Sequence, residues 1–288
     1  MFHHFKKLLI GLASFLLLST SLLVEATGKG LFWQVEAPNG TVSYLFGTIH
    51  TDDNRVTDFS RPILDALKAV DLFVMETQPN SDPANFMMAE GSLKDMLNEA
   101  EMEQVKALTD FHVMHLSQAL TMKPWLLAVV FSQSKPQTPY AQDNLLMRGA
   151  EDFNKPVKGL ETSEEHFSVI DSFSLDEQLA MLRATLNMTE KQKVRDFEKL
   201  LAVYMSGDSD KIIAVDTEIT SSGLPKVLWE KMRAKLLDDR NTLMANRAIA
   251  LAQNQSIFVA VGAAHLAGEN GFINMFKNRG YKLRVVKK

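Results

Sequence analysis

Two histidines near opposite ends of this chain close the same kind of phrase. "LFGTIH" covers Leu45–His50 and "AVGAAH" covers Ala260–His265. Each is an apolar run that meets a glycine and reaches a histidine three positions later. Imidazole is a metal ligand and an acid–base group near neutral pH. Two more apolar runs stop at carboxylates: Leu72–Met75 at Glu76, and Val157–Leu160 at Glu161. The 288 residues contain no cysteine, which excludes thiolate catalysis, disulfides and Cys-based zinc sites. A metal site here has His, carboxylate and water as its donors. That set suits zinc, manganese, cobalt or iron(II).

The elements that carry these residues are legible as a pattern. Leu31–Glu36 and Thr41–Phe46 are β-type runs joined by the turn chemistry of "APNG". Phe59–Val70 has helical periodicity and leads into Leu72–Glu76, so strand, helix and strand follow in order, a βαβ crossover. Ser92–Leu201 is mostly helical, interrupted by the short run Pro156–Leu160. Ser174 with Glu177 forms a capping box at the start of one of its helices. Leu224–Gln253 reads as a long helix or a helix pair, and Ser256–His265 and Tyr281–Lys288 as strands around the helix Asn270–Arg279. The expected fold is α/β: a central mixed sheet with mainly parallel strands, flanking helices and a large helical insertion at roughly 85–150, in a single domain spanning 27–288.

In such a sheet, sites form beyond the carboxyl ends of parallel strands. Parallel neighbours would therefore bring His50, Glu76, Glu161 and His265 to one edge. Gly47 and Gly262 would let the chain curl there, since glycine accepts sharp turns and close approach. Each residue also has a plainer reading. A lone histidine after a strand is commonly a satisfied loop residue, and Glu76 alone a solvated carboxylate. Glu161 could cap the helix beginning near Thr162. His112 and His115 in "HVMH" read as surface or core, and the "DDRN" of Asp238–Asn241 as an exposed charge cluster on an amphipathic helix.

Composition narrows the partners. Hydrophobic residues make up 46% and charged residues 23%, with a formal net charge of −4 and no basic block. A nucleic-acid partner is not expected, since phosphate binding needs clustered Lys and Arg. The start "MFHHFKK", the apolar run Leu8–Val24 and "VEA" at Val24–Ala26 read as a signal peptide over 1–26, cut before Thr27. The expectation is an exported, periplasmic or extracellular protein. Membrane contact would come only through this segment, if it stays uncleaved as an anchor. No lipobox cysteine is present.

Five stretches, in order, resemble the TraB/GumN family, whose animal members include the Tiki proteases: "YLFGTIH", "LFVMETQ", "KPVKGLETSEEHFSVIDSF", "LLDDRNTLMANRAIA" and "IFVAVGAAHLAGENGFINMFKNRGYKLRVV". The ordered set spans nearly the whole body, while about Asn80–Tyr140 matches only loosely. The resemblance implies a metal-assisted hydrolase, a peptidase acting on a peptide or protein, with a divalent ion such as manganese or cobalt. His50 and His265 match the motif histidines, Glu76 the acidic residue after the next strand, Glu161 the "LE", and Arg240 with Asn241 the "RN" pair. On that basis His50, Glu76 and His265 are the expected metal ligands. Glu161 is a further ligand or the general base, Arg240 the oxyanion or substrate-carboxylate anchor, and Asn241 a partner that orients a ligand. Related folds include erythromycin esterase and a haem-binding lipoprotein, so the scaffold does not fix the chemistry. A protein that binds haem, a metal or a peptide without turnover is the alternative, and an exported structural domain with incidental histidines a third.

Overall fold

The computed structural model describes residues 29–79, 82–136 and 138–287. The signal-peptide segment 1–26 lies outside the described residues. Among the described residues, no helix is long and apolar enough to cross a membrane.

Six strands form one mixed sheet: β1 (Phe32–Glu36), β2 (Val42–Thr48), β3 (Leu72–Thr77), β4 (Val157–Glu161), β5 (Ile257–Gly262) and β6 (Lys282–Val285). Their order is β4-β3-β5-β2-β1-β6. The four strands carrying the candidate residues are contiguous and mutually parallel, with β5 slotted between β3 and β2. β1 is antiparallel to both β2 and β6. The β1–β2 connection is a tight turn in which Gly40 adopts φ 87° and donates to Ala37 O at 2.9 Å. The helix Arg61–Ala69 carries the chain from β2 to β3 across the position that β5 fills.

Side-chain alternation gives the sheet two apolar faces. Trp33, Leu45, Val74, Val259 and Val261 face one core, roofed by Leu201, Tyr204, Met244, Ala248, Phe272 and Phe276. Phe32, Phe46, Phe73, Met75 and Phe258 face the other, roofed by Ile63, Leu67, Leu146 and Ala150. Both faces are covered, which is why the parallel strands read as unbroken apolar runs. The rings of Phe32, Phe46 and Phe73 lie 6.0–6.3 Å from that of Phe258. Each fully buried Phe is worth about 1.5–3 kcal/mol relative to exposure, so this face anchors the register of the strands.

Most of the helices fall in two blocks, Pro83–Asp152 between β3 and β4 and Ser163–Ala252 between β4 and β5, and these build a third apolar core of their own around Leu127, Phe131 and Leu182. Ser174 and Glu177 form the capping box of the helix Leu175–Leu186. Leu224–Gln253 contains one uninterrupted helical path: α-helix Lys226–Arg233, a π-helical stretch Ala234–Asp239, then α-helix Arg240–Ala252. The widened π turns end where Arg240 begins. Such bulges re-aim side chains and recur at functional sites.

Candidate functional site at the carboxyl edge of the sheet

The register sets the site. Thr48 pairs with Gly262 and Thr77 with Glu161, so the carboxyl ends of the parallel strands finish level. Gly262 is the meeting point. A β-carbon there would lie 3.3 Å from Glu76 Oε1, 3.5 Å from His265 Cδ2 and 3.7 Å from His50 Nε2. Two imidazoles and a carboxylate from residues 50, 76 and 265 thus surround the space that this glycine leaves open. Gly262 also donates its N–H to Glu76 Oε1 at 2.7 Å. His265 Nε2 lies 3.7 Å from the same oxygen.

The two glycines work differently from the curling expected of both. Gly47 sits inside β2, and its missing side chain admits the short turn after β5: a β-carbon would come within 2.6 Å of Leu266 Cδ1 and 3.0 Å of Ala263 Cα. Gly262 has an extended backbone with φ −50° and ψ 137°, and serves by leaving room.

Each histidine is oriented through Nδ1 by the second residue of a polar pair at a helix start. Asn241 Oδ1 lies 2.6 Å from His265 Nδ1. Asp143 Oδ2 lies 2.8 Å from His50 Nδ1, and Thr48 Oγ1 donates to Asp143 Oδ1 at 2.5 Å. In a neutral ring, an oxygen acceptor on Nδ1 places the proton there and leaves the Nε2 lone pair for the site. The first residues of the two pairs brace the surroundings. Gln142 Oε1 accepts the Ile49 N–H at 2.9 Å, and Gln142 Nε2 donates to Val56 O at 2.6 Å. Tyr204 Oη, 2.8 Å from Gly47 O and 2.9 Å from Gln142 Oε1, ties this helix start to β2.

Arg240 joins the two carboxylates. Its terminal nitrogen NH2 donates to Glu76 Oε2 at 2.6 Å and to Glu161 Oε2 at 2.8 Å, and Nε lies 3.1 Å from both Glu161 oxygens. NH1 donates to Leu236 O at 3.3 Å, back across the π-helical stretch. His166 Nδ1 stands 3.4 Å from Glu161 Oε2 and 3.3 Å from Arg240 NH2.

This arrangement differs from the sequence reading at Arg240, Asn241 and Glu161 and extends it at Asp143 and His166. Arg240 and Asn241 are 8% and 2% exposed, so the second half of "DDRN" is buried and not part of a surface charge cluster. The nitrogens expected to face a substrate are turned inward by the wide π turns and engaged by Glu76, Glu161 and Leu236. Glu161, at 4% exposed, is the counter-ion of Arg240; the capping role at the next helix belongs to Thr162, which pairs with Glu165. Asp143 and His166 were not visible as site residues. Asp143 stands in the first turn of Gln142–Asp152, where an acidic residue reads simply as helix-dipole chemistry. His112 is a core residue, stacked on Phe131.

The electrostatics follow from the contacts. Burial pushes the Glu76 carboxyl up, but the basic neighbours His265, Arg240 and His50 outweigh it and hold the carboxyl well below the usual carboxylate range. Burial likewise opposes ionisation of Glu161, and His166 and Arg240 override it. Burial lowers His265 to about 4, against the upward pull of Glu76, so this ring is neutral at pH 7. His50 is the opposite case: the Asp143 carboxylate raises it to about 9. Its side chain is 67% exposed, so solvent screens much of that attraction.

As arranged, no group of three or more His, Asp and Glu side chains among the described residues could hold a metal ion. The donor chemistry nonetheless suits one. Both imidazoles have Nδ1 held by an oxygen acceptor, the outer partnership that metal-ligating histidines use, and both border with Glu76 Oε1 the space left open at Gly262.

Comparison with known proteins agrees with the ordered motifs. The model of the TraB/PrgY/gumN family matches residues 31–285. Uncharacterized protein YbaP of Escherichia coli (strain K12) is 22% identical over 258 residues, 84% of this chain and 90% of YbaP. Metalloprotease TIKI2 of Danio rerio is 25% identical over 316 residues, and Metalloprotease TIKI1 of the same fish 25% over 297. The matches to these two take in 88% and 84% of this chain but only 60% of the length of each fish protein. With a family match across nearly all of the described residues, the chain belongs to the TraB/PrgY/gumN family.

Proposed function

We propose that this protein is an exported, metal-dependent hydrolase that cleaves peptide bonds at the carboxyl edge of its sheet. The observation that carries this reading is the convergence of His50 Nε2, Glu76 Oε1 and the His265 ring around Gly262. The names of the fish relatives, metalloproteases, point the same way. His50, Glu76 and His265 would hold a divalent ion, with manganese, cobalt, zinc and iron(II) all compatible with these donors. Such an ion supplies a Lewis acid and a bound water acidic enough to ionise near neutral pH.

The chain's own residues prepare for that chemistry. Asn241 and Asp143 fix the two rings with Nε2 facing the site. Arg240 keeps Glu76 anionic and aimed, and Glu161 fixes Arg240 in place through Nε and the same NH2 nitrogen. Arg240 and Asn241 are therefore positioning residues. Glu161, engaged by Arg240 and His166, is not free to act as a general base in this arrangement. That engagement favours a second reading, a site that binds a metal or a peptide without turning it over.

Anaerobic reconstitution with each metal, followed by cleavage of a peptide library, separates the two readings. Metal-stimulated cleavage by the wild type, lost in His50→Ala and His265→Ala, supports the hydrolase. Metal binding that needs both histidines but yields no cleavage supports the binder. Equal behaviour of all three proteins would falsify both. Sequencing the N-terminus of protein recovered from the cell exterior or periplasm tests export and cleavage before Thr27.

A further inference from the structure

The helices Pro124–Ser132, Leu175–Leu186, Glu190–Ser206 and Ser209–Ser221 line most of an open cavity of about 380 Å³ next to the histidine site, with Ile170, Met232 and Leu236 completing its wall. That volume is in the range of small-molecule sites, and bundle interiors are a common place for them. Its wall is mostly apolar, with Trp125, Val129, Met181, Ala184 and Phe197 prominent. Three charged side chains reach it. Lys193 is paired with Glu190 at 2.9 Å, and Asp196 with Arg195 at 3.0 Å. The third, Asp216, makes no hydrogen bond and no ion pair with any described residue. Burial raises its carboxyl above the usual aspartate value, with no charge partner to offset the cost. A desolvated carboxylate with nothing to hold is expensive, and a ligand that brings a cation removes the expense.

We propose that this cavity is a binding site for a primary aliphatic ammonium, the hydrocarbon stem lying against the Trp125–Met181–Phe197 wall and the ammonium on Asp216. A lysine side chain and a free alkylamine share this chemistry, an apolar stem with a charged head. Gln133, Ser134 and Phe197 line both this cavity and the one that holds His50. An occupant of the first is therefore a neighbour of the second, and a lysine seated here would sit beside the histidine edge. Binding at Asp216 does not depend on hydrolysis, so it stands or falls separately from the proposed activity.

The test is ligand-observed NMR on the full mature chain with hexylammonium, hexanol and hexanoate. Charged hydrogen bonds to a half-buried carboxylate in an apolar cavity wall are worth enough to separate these probes by about tenfold. The expected order is hexylammonium tightest by that margin, with Asp216→Asn removing the preference while hexanol binding stays. Ala184→Phe, which fills the cavity from the wall, should abolish binding of all three probes. Hexylammonium binding no better than hexanol, or a preference that survives Asp216→Asn, overturns the proposal. A capped pentapeptide, Ala-Ala-Lys-Ala-Ala, added to the hexylammonium complex identifies the source: displacement supports a peptide lysine, and its absence supports a free amine at the same site.

Discussion

Arg240 and Glu76 meet at 2.6 Å, although they stand 164 positions apart in the chain. The same guanidinium holds Glu161, so one helix start binds two strand ends. Arg240→Met leaves two carboxylates without their cation in a mostly desolvated pocket. Removing one partner of a buried ion pair costs about 3–5 kcal/mol, and a loss of that size is expected in urea unfolding at pH 7. Adding Glu161→Gln should restore part of it, because one orphaned charge is gone. Both carboxyls are held below their ordinary value of 4.5, so the clamp contributes fully above that pH and fades as the pH falls beneath it. The gap between wild type and Arg240→Met should therefore shrink below about pH 4.5. A constant gap from pH 7 to pH 3 would show that the clamp is not electrostatic.

Gly47 and Gly262 predict opposite phenotypes under the same change. Gly47→Ala drives a methyl to 2.6 Å of Leu266 Cδ1 and 3.0 Å of the Ala263 backbone. Overpacking of that kind costs about 1–3 kcal/mol, read as a lowered urea midpoint. Gly262→Ala meets Glu76 Oε1 at 3.3 Å and both imidazoles beyond that. It should leave stability within about 1 kcal/mol of wild type and remove metal binding measured by calorimetry. Intact metal binding in Gly262→Ala would place the ion elsewhere.

Asn241 carries a narrower expectation. Its Oδ1 fixes the Nδ1 proton of His265, and loss of such a partner typically weakens metal affinity about 10–100-fold. Asn241→Ala should show that loss by metal titration, with the histidine free to adopt its other tautomer. Nitrogen-15 shifts of the His265 ring report the tautomer directly, and an unchanged Nδ1–H signature in the variant would contradict the role.

The sheet and its edge were legible because apolar periodicity and glycine punctuation are local signals. The runs ending at His50, Glu76, Glu161 and His265 fall on four contiguous parallel strands. What holds those residues was much less legible. Asp143 reaches His50 across 93 residues, and nothing in "AQDN" marks it beyond an acidic first turn. The inward turn of Arg240 depends on the π-helical stretch Ala234–Asp239, an irregularity without a sequence period. Partners chosen by tertiary packing leave no spacing to read. The cavity beside Asp216 is hidden for the same reason: its walls come from helices distant in sequence, and no spacing within any one of them marks it.

The His50–Asp143 pair gives the remaining prediction its sign. Asp143 raises His50 from 6.5 to about 9. A group raised on folding contributes its stability fully below the unfolded value and loses it as the pH climbs through the folded one. Asp143→Asn should therefore be less stable than wild type at pH 6 and indistinguishable from it above about pH 9. Because the His50 ring is largely exposed, the difference at pH 6 should stay below about 1 kcal/mol. Proton NMR titration of the metal-free protein gives the sharper readout: His50 should move back toward 6.5 in Asp143→Asn. Metal binding must then displace a proton from the wild-type ring at pH 7. Calorimetry in buffers of different ionisation enthalpy should detect more proton release from wild type than from Asp143→Asn, and equal release would mean that His50 is not where the ion binds.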